Sequence, residues 1–281
     1  MKIFVTGGTG FIGSHFLTAS LAAGHEPIAL RRPGSKPRLP LKKEPQWVDG
    51  ALNDDWRKQL TNCQALVHLA AAGVSPQLSG WDELFKVNVE LSLNIWRQAA
   101  EAGVRRLIIC GSCFEYGRSG NRYDFIPPDA PLEPTAPYHA SKAAATMAAI
   151  ALGIERQLEL AVLRPFHVFG EGETKIRFWP SFRKAALAGE DFPMSEGRQI
   201  RDFVPVEQVV NTFVDALTRT DLKPGDPKVE NLGTGRPQTL RAFAEHWWNQ
   251  WDAKGKLLIG AVPYYENEVM RYVPQISSKG R

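Results

Sequence analysis

Cysteine is scarce in this chain: Cys63, Cys110 and Cys113 are the only three in 281 residues. So few thiols cannot staple a disulfide-dependent scaffold, and the fold has to rest on a hydrophobic core. No apolar run approaches the ~20 residues that cross a bilayer, so no membrane partner is expected. The first residues already read as a strand, so no signal peptide is expected, and a cytoplasmic location follows as the default. An excess of one charge is missing too, since 34 Lys and Arg against 30 Asp and Glu leave a net +4. That balance suits anionic ligands without requiring nucleic acid. With 43% hydrophobic and 23% charged residues, the composition is that of an ordinary globular protein, long enough for one large domain or two coupled ones.

Glycine, by contrast, is concentrated at the start. Met1 to His15 reads MKIFVTGGTGFIGSH. Ile3, Phe4 and Val5 form a short strand-like run, Gly7, Gly8, Gly10 and Gly13 follow, and Phe11, Ile12, Phe16 and Leu17 recur at helical spacing. Strand, glycine turn and helix make the context that a dinucleotide fingerprint requires, although Gly7, Gly10 and Gly13 differ from G-x-G-x-x-G by one residue. A pyrophosphate fits the free amides and positive dipole end of such a helix.

Glu26 to Leu30 reads as the second strand and ends in Arg31 and Arg32. An NAD-preferring fold usually carries an acid here for the ribose 2′-hydroxyl. Two arginines suit a 2′-phosphate instead, so NADP is the expected cofactor and NAD the alternative. A solvated basic turn is the competing interpretation, because Lys36, Arg38, Lys42 and Lys43 continue the charge. No aromatic residue is interleaved before Trp47, so a nucleic-acid arm is not expected.

Further along, Gln46–Val48 and Ala65–Ala70 read as strands, Asp54–Leu60 as a short helix and Trp81–Ala102 as one long helix with Asn88 beside its apolar stripe. Arg106–Cys110 is another apolar strand, ending in Gly111, Ser112 and Cys113. Cys110 and Cys113 have C-x-x-C spacing, but no second pair exists and no helix start follows as in thioredoxins; redox and metal roles are not expected. Tyr138 and Lys142, in the string YHASK, open an alanine-rich helix and share one of its faces. An ammonium close to a phenol favours the phenolate, so Lys142 is expected to lower the Tyr138 pKa from its ordinary value near 10. Leu158–Phe166 is a further strand, and Leu240–Trp251 a tryptophan-rich helix. The alternation of strands and helices predicts an α/β fold, a doubly wound parallel Rossmann sheet. Residues 1–166 form the expected dinucleotide-binding domain, with 201–235 returning to it; 167–200 and 236–281 form the expected small interleaved substrate domain.

The strings TGGTGFIG, HLAA, NVE, GSCFEYG, YHASK, LRPFHVFGEGE and RDFVPVEQV stand in an order that resembles the extended short-chain dehydrogenases/reductases of the NAD(P)-dependent epimerase/dehydratase family. The resemblance implies Ser112, Tyr138 and Lys142 as catalytic residues. It implies cofactor contacts at Gly7, Gly10, Gly13, Leu69, Ala70, Ala71, Asn88 and Cys110, and the expected set also includes Phe11, Ile12, Leu52 and Pro165. Ser112, Phe114, His167 and Arg201 are the expected substrate contacts, Arg201 lying on a nucleotide diphosphate; a surface pair of Arg201 with Asp202 is the alternative. Dehydratases of the family carry an Asp-Glu pair after the catalytic residue, which water elimination needs. Cys113 and Phe114 stand there, with Glu115 one residue out of register. His167 replaces an asparagine of the string R-x-F-N, and Ala51 an adenine-contacting aspartate. The expected activity is NADPH-dependent reduction of a nucleotide-diphosphate 4-keto-(6-deoxy)sugar. A nucleotide-sugar 4-epimerase and a non-catalytic NADP-binding regulator are the alternatives, and a homodimer is left open.

Overall fold

The computed structural model describes residues 1–73, 80–264 and 268–276. Its centre is a parallel sheet built from β1 (Lys2–Thr6), β2 (Glu26–Arg31), β3 (Gln46–Asp49), β4 (Ala65–His68), β5 (Arg106–Cys110), β6 (Glu159–Pro165) and an edge strand, Lys228–Leu232. The order across the sheet is edge strand, β6, β5, β4, β1, β2, β3. The strands read as near-continuous apolar runs because helices cover both faces. Successive side chains go to opposite sides. Ile3, Val5, Val67 and Ile108 join one core with Phe16, Leu17, Val209 and Phe213. Phe4, Leu66, Leu107 and Ile109 join the other with Ile95, Trp96 and Leu152. The chain runs outward from β1 through β2 to β3, then crosses back to β4 and runs outward the other way. That reversal between β1 and β4 opens a crevice at the C-terminal strand ends, where ligands of such sheets bind.

Two helices differ from their expected form. Trp81–Ala102 is not one regular helix: α-helix over Trp81–Phe85 widens into a π segment, Lys86–Leu91, before α-helix resumes at Ser92–Glu101. Ser92 Oγ donates to the carbonyl of Val87, five residues back, at 2.9 Å. The widened turn aims Asn88 at Ala72. The helix expected from Asp54 begins only at Arg57. Asp54 instead accepts from the Ala51 amide at 2.8 Å, and Asp55 pairs with Arg57. Such side-chain bonds compete with helical ones.

The remaining segments form a small aromatic lobe. Helices Phe178–Ala188 and Leu240–Gln250 pack Trp179, Phe182, Phe243 and Trp248 together. Strands Phe192–Met194 and Leu257–Ile259 pair beside them. Strand Ile200–Arg201 pairs with Gln238–Thr239 and with Arg271–Tyr272. Phe203–Pro205 runs parallel to His167–Phe169 and ties this lobe to the end of β6. No helix among the described residues is long and apolar enough to cross a membrane.

Candidate active site

A cavity of about 1520 Å³ runs along the crevice between sheet and lobe. At one end lies the glycine turn. Gly7 has φ +73°, and a Cβ there would lie 2.5 Å from the Ala70 amide nitrogen at the end of β4. A Cβ on Gly13 would lie 2.0 Å from the Gly7 carbonyl oxygen. Only glycine allows the turn to seat this deeply. Gly10 caps the helix Phe11–Ala22 with no side chain bonded to its first amides. Gly7, Gly10, Phe11, Ile12, Gly13, Leu52, Leu69, Ala70, Ala71, Cys110 and Pro165 all line the cavity. A groove with bare amides at a helix start and apolar walls beyond it fits a dinucleotide.

Asn88 is brought elsewhere. It is buried, does not line the cavity, and holds both backbone groups of Ala72 as well as Ser141 Oγ, at 2.8, 3.2 and 2.9 Å. Ser141 donates in turn to the Tyr138 carbonyl at 2.9 Å, so Asn88 braces the helix turn that carries Tyr138.

The two arginines after β2 also separate. Arg31 donates to Asp49 at the end of β3, 2.8 Å away, and lies over the Trp47 ring. An acid does stand beside the second strand, supplied by its neighbour in the sheet and neutralised by Arg31. Arg32 lines the cavity, is exposed, and its side chain has no partner among the described residues.

At the centre of the cavity stand Ser112, Tyr138 and Lys142. Ser112 follows β5 and caps the short helical turn Cys113–Tyr116. Its Oγ accepts from the Phe114 amide at 3.3 Å, and its own amide donates to Glu115 at 2.7 Å. Neither bond uses the Ser112 hydroxyl proton. Glu115 is fully buried and bonds Arg164 at 2.8 Å, and Arg164 also holds Tyr116 and the Pro128 carbonyl. The out-of-register carboxylate is therefore turned into the protein beneath Ser112.

Lys142 places its ammonium on the Cys110 carbonyl at 2.7 Å. Burial raises Tyr138 above its ordinary value, and a hydrogen bond with Ser112 offsets only part of that rise. The expected lowering of Tyr138 by Lys142 is thus corrected: Tyr138 is a protonated phenol across neutral pH. Burial also pushes the Cys110 thiol up to about 11 and Cys113 up to about 12, so neither is a thiolate at neutral pH. No cluster among the described residues could hold a metal ion.

Toward the lobe, Phe114 stacks on His139 at 4.9 Å and meets His167 edge-on at 5.8 Å. His167 Nδ1 is buried without a partner among the described residues, and burial, helped by Arg201 and Arg177, holds this imidazole neutral. Arg201 is buried and paired with Glu268, while Asp202 accepts from Thr234 and Gly235. The Arg201–Asp202 surface pair does not form.

Sequence reasoning missed three cavity groups. Glu173, whose buried Oε2 has no partner among the described residues, is pushed up to about 7 by burial and lies 3.6 Å from Arg177, seen in the sequence only as part of a basic stretch. Gln199 stands two residues before Arg201, just outside the strand Ile200–Arg201, and lines the same cavity.

The model of the NAD dependent epimerase/dehydratase family matches residues 3–233. The chain belongs to this family. Among its relatives, a UDP-glucose 4-epimerase from Corynebacterium glutamicum is 24% identical over 265 residues, covering 87% of this chain and 79% of the relative. A dTDP-6-deoxy-L-talose 4-dehydrogenase (NAD(+)) from Aggregatibacter actinomycetemcomitans is 26% identical over 259 residues, covering 88% of this chain and 89% of the relative. Among solved structures, MoeE5 in complex with UDP-glucuronic acid and NAD superposes with a TM-score of 0.84 at 25% identity, covering 98% of this chain and 90% of that one.

Proposed function

We propose that this family member is an NADPH-dependent reductase of a nucleotide-diphosphate 4-keto-(6-deoxy)sugar. The observation that carries this reading is the convergence of Ser112, Tyr138 and Lys142 on one cavity from which the Glu115 carboxylate is turned away. A reductase begins by giving a proton to a carbonyl oxygen, whereas an epimerase begins by taking one from a hydroxyl. Tyr138 and Ser112 both line the cavity, and each carries a hydroxyl proton to offer such an oxygen. Elimination of water is disfavoured because Glu115 is engaged with Arg164, away from the cavity.

NADPH, when bound, supplies a hydride to the keto carbon. Tyr138 donates its hydroxyl proton to the oxygen that gains charge, and Ser112 donates to the same oxygen. Lys142, fixed by the Cys110 carbonyl, faces the cofactor ribose. The glycine turn and the Phe11 and Ile12 amides face the pyrophosphate, with Leu52, Leu69, Ala70, Ala71, Cys110 and Pro165 walling the groove and Arg32 meeting the 2′-phosphate. Arg201, with neutral His167 and Phe114 beside it, meets the substrate diphosphate.

Relatives that include a 4-epimerase, and a structural neighbour carrying NAD, support a second reading as a nucleotide-sugar 4-epimerase. The relative named as a 4-dehydrogenase of a 6-deoxy sugar supports the first. Turnover with 4-keto-6-deoxy nucleotide sugars separates the two. Net NADPH oxidation is expected. Interconversion of hydroxy sugars without net oxidation supports the epimerase, and cofactor binding with neither activity supports a regulator.

A further inference from the structure

Beneath Ser112 lies a buried polar chain to which the chemistry above gives no task. Glu115 is fully buried and Arg164 is 3% exposed. One carboxylate oxygen of Glu115 accepts from the Ser112 amide at 2.7 Å, and the other accepts from Arg164 Nε at 2.8 Å. Arg164 Nη1 donates to the Tyr116 hydroxyl and to the Pro128 carbonyl. The Tyr116 hydroxyl donates to Asn231 Oδ1 at 2.6 Å, and Asn231 Nδ2 donates to the Ile126 carbonyl at 2.7 Å. Asn231, on the edge strand, stands opposite Arg164 on β6. None of Glu115, Tyr116, Arg164 and Asn231 lines the cavity.

A buried ion pair is a poor way to gain stability, because both charges leave water and apolar side chains of similar size often serve as well. What this pair fixes is the main chain beyond β5. A Cβ on Gly111 would lie 2.9 Å from both Arg164 Cγ and Glu115 Oε1, so the pair is packed against the residue before Ser112. Glu115 holds the Ser112 amide while Ser112 Oγ accepts from Phe114, which closes a capping box. The acid of this box is kept from turning out to water, since Arg164 holds its second oxygen and is itself tied to Tyr116 and Pro128. The Ser112 main chain is thereby anchored through side chains to β6 and the edge strand.

We propose that Glu115 is a positioning residue: through the Ser112 amide it holds the Ser112 hydroxyl in register with Tyr138 and the reacting oxygen, with Arg164 as its brace. This inference rests on the reading of Ser112 as a donor to that oxygen, and it holds for reduction and epimerisation alike. Its test is a double-mutant cycle on the whole protein, read as steady-state turnover of a 4-keto-6-deoxy nucleotide sugar with NADPH, or of UDP-glucose with NAD. Glu115→Met with Arg164→Met removes the pair without stranding a charge. It should keep a near-native melting temperature and lower kcat by about tenfold or more, the scale of a small misplacement of a reacting group, with KM and cofactor affinity within about twofold. Ser112→Ala should cost about 10²–10³-fold in the native chain, as the loss of one oxyanion donor does. It should cost no more than about tenfold in the chain without the pair, because there the hydroxyl is already out of place. Glu115→Gln with Arg164→Met, which restores an acceptor for the Ser112 amide, should recover most of kcat. If the chain without the pair fails to fold, Glu115→Asp, which keeps the charge but withdraws it from the Ser112 amide, carries the same cycle. An unchanged kcat, or a Ser112→Ala cost that is equal in both chains, overturns the inference while leaving the reading of Ser112 intact. Parallel loss of cofactor affinity and melting temperature makes the pair structural and overturns it too. A native protein that converts neither substrate overturns that reading and the inference with it.

Discussion

The two halves of the cavity are built by different means. The half proposed for the cofactor is backbone: a glycine turn, a bare helix start and small residues at strand ends. Behind it, His68 is held at both ring nitrogens, Nδ1 2.9 Å from Thr6, which lines the cavity, and Nε2 3.0 Å from Ser92. Ser92 donates its own proton to Val87, so His68 Nε2 carries the hydrogen and Nδ1 accepts from Thr6. Burial pushes that imidazole down to about 3. The half proposed for the substrate is side chain, gathered from distant segments, and three of its polar groups, on His167, Glu173 and Gln199, are buried with an atom that has no partner among the described residues. One half presents a fixed shape; the other presents unmet hydrogen bonds.

Substitutions that act on one half alone sharpen this contrast. The largest effect is expected beneath Ser112. Arg164→Met strands the Glu115 charge and should cost about 3–5 kcal/mol of stability, read by urea unfolding. The double variant with Glu115→Gln should recover part of that loss, and an unchanged Arg164→Met protein would mean the pair contributes little. Next comes Tyr138→Phe, which removes the proton donor and should lower kcat by at least ~10²-fold with cofactor affinity intact. Near-normal turnover would remove Tyr138 from the chemistry.

Arg201→Ala should weaken nucleotide-sugar binding by about 1.5–3 kcal/mol, the scale of a hydrogen bond to a charged group, and barely move NADPH affinity. Equal loss of both would erase the division between the halves. The smallest effect is expected after β2. Arg32→Ala should reduce an NADPH-over-NADH preference by about tenfold, less at high salt because the turn is exposed. Arg31→Ala should change it less, since Arg31 already serves Asp49. The reverse ranking, or equal affinity of native protein for both cofactors, would contradict the NADP assignment.

The glycine turn and the strands beside it were legible in the sequence because their signals are local. Gly7 to Gly13 announce their own backbone, and the strands announce their burial by continuous apolar runs. The Ser112, Tyr138 and Lys142 set was legible through its motifs. Contacts that depend on which side chains meet across the fold were not. Nothing local shows that Asp49 meets Arg31 by strand register, that Asn88 bonds Ala72 across a π segment, or that Lys142 is held by a carbonyl rather than by Tyr138. Glu115 illustrates the limit: its spacing from Ser112 fits a capping box, but its partner Arg164 is 49 residues away.

The central claim is that Tyr138 works as a donor to a keto sugar whose hydride comes from a consumed cofactor. Mass spectrometry of the product formed with NADPH deuterated at its transferable position tests it most directly. The account predicts one deuterium per sugar, one equivalent of NADP formed, and loss of both in Tyr138→Phe. Unlabelled product, formed while the NADPH remains reduced, would contradict it.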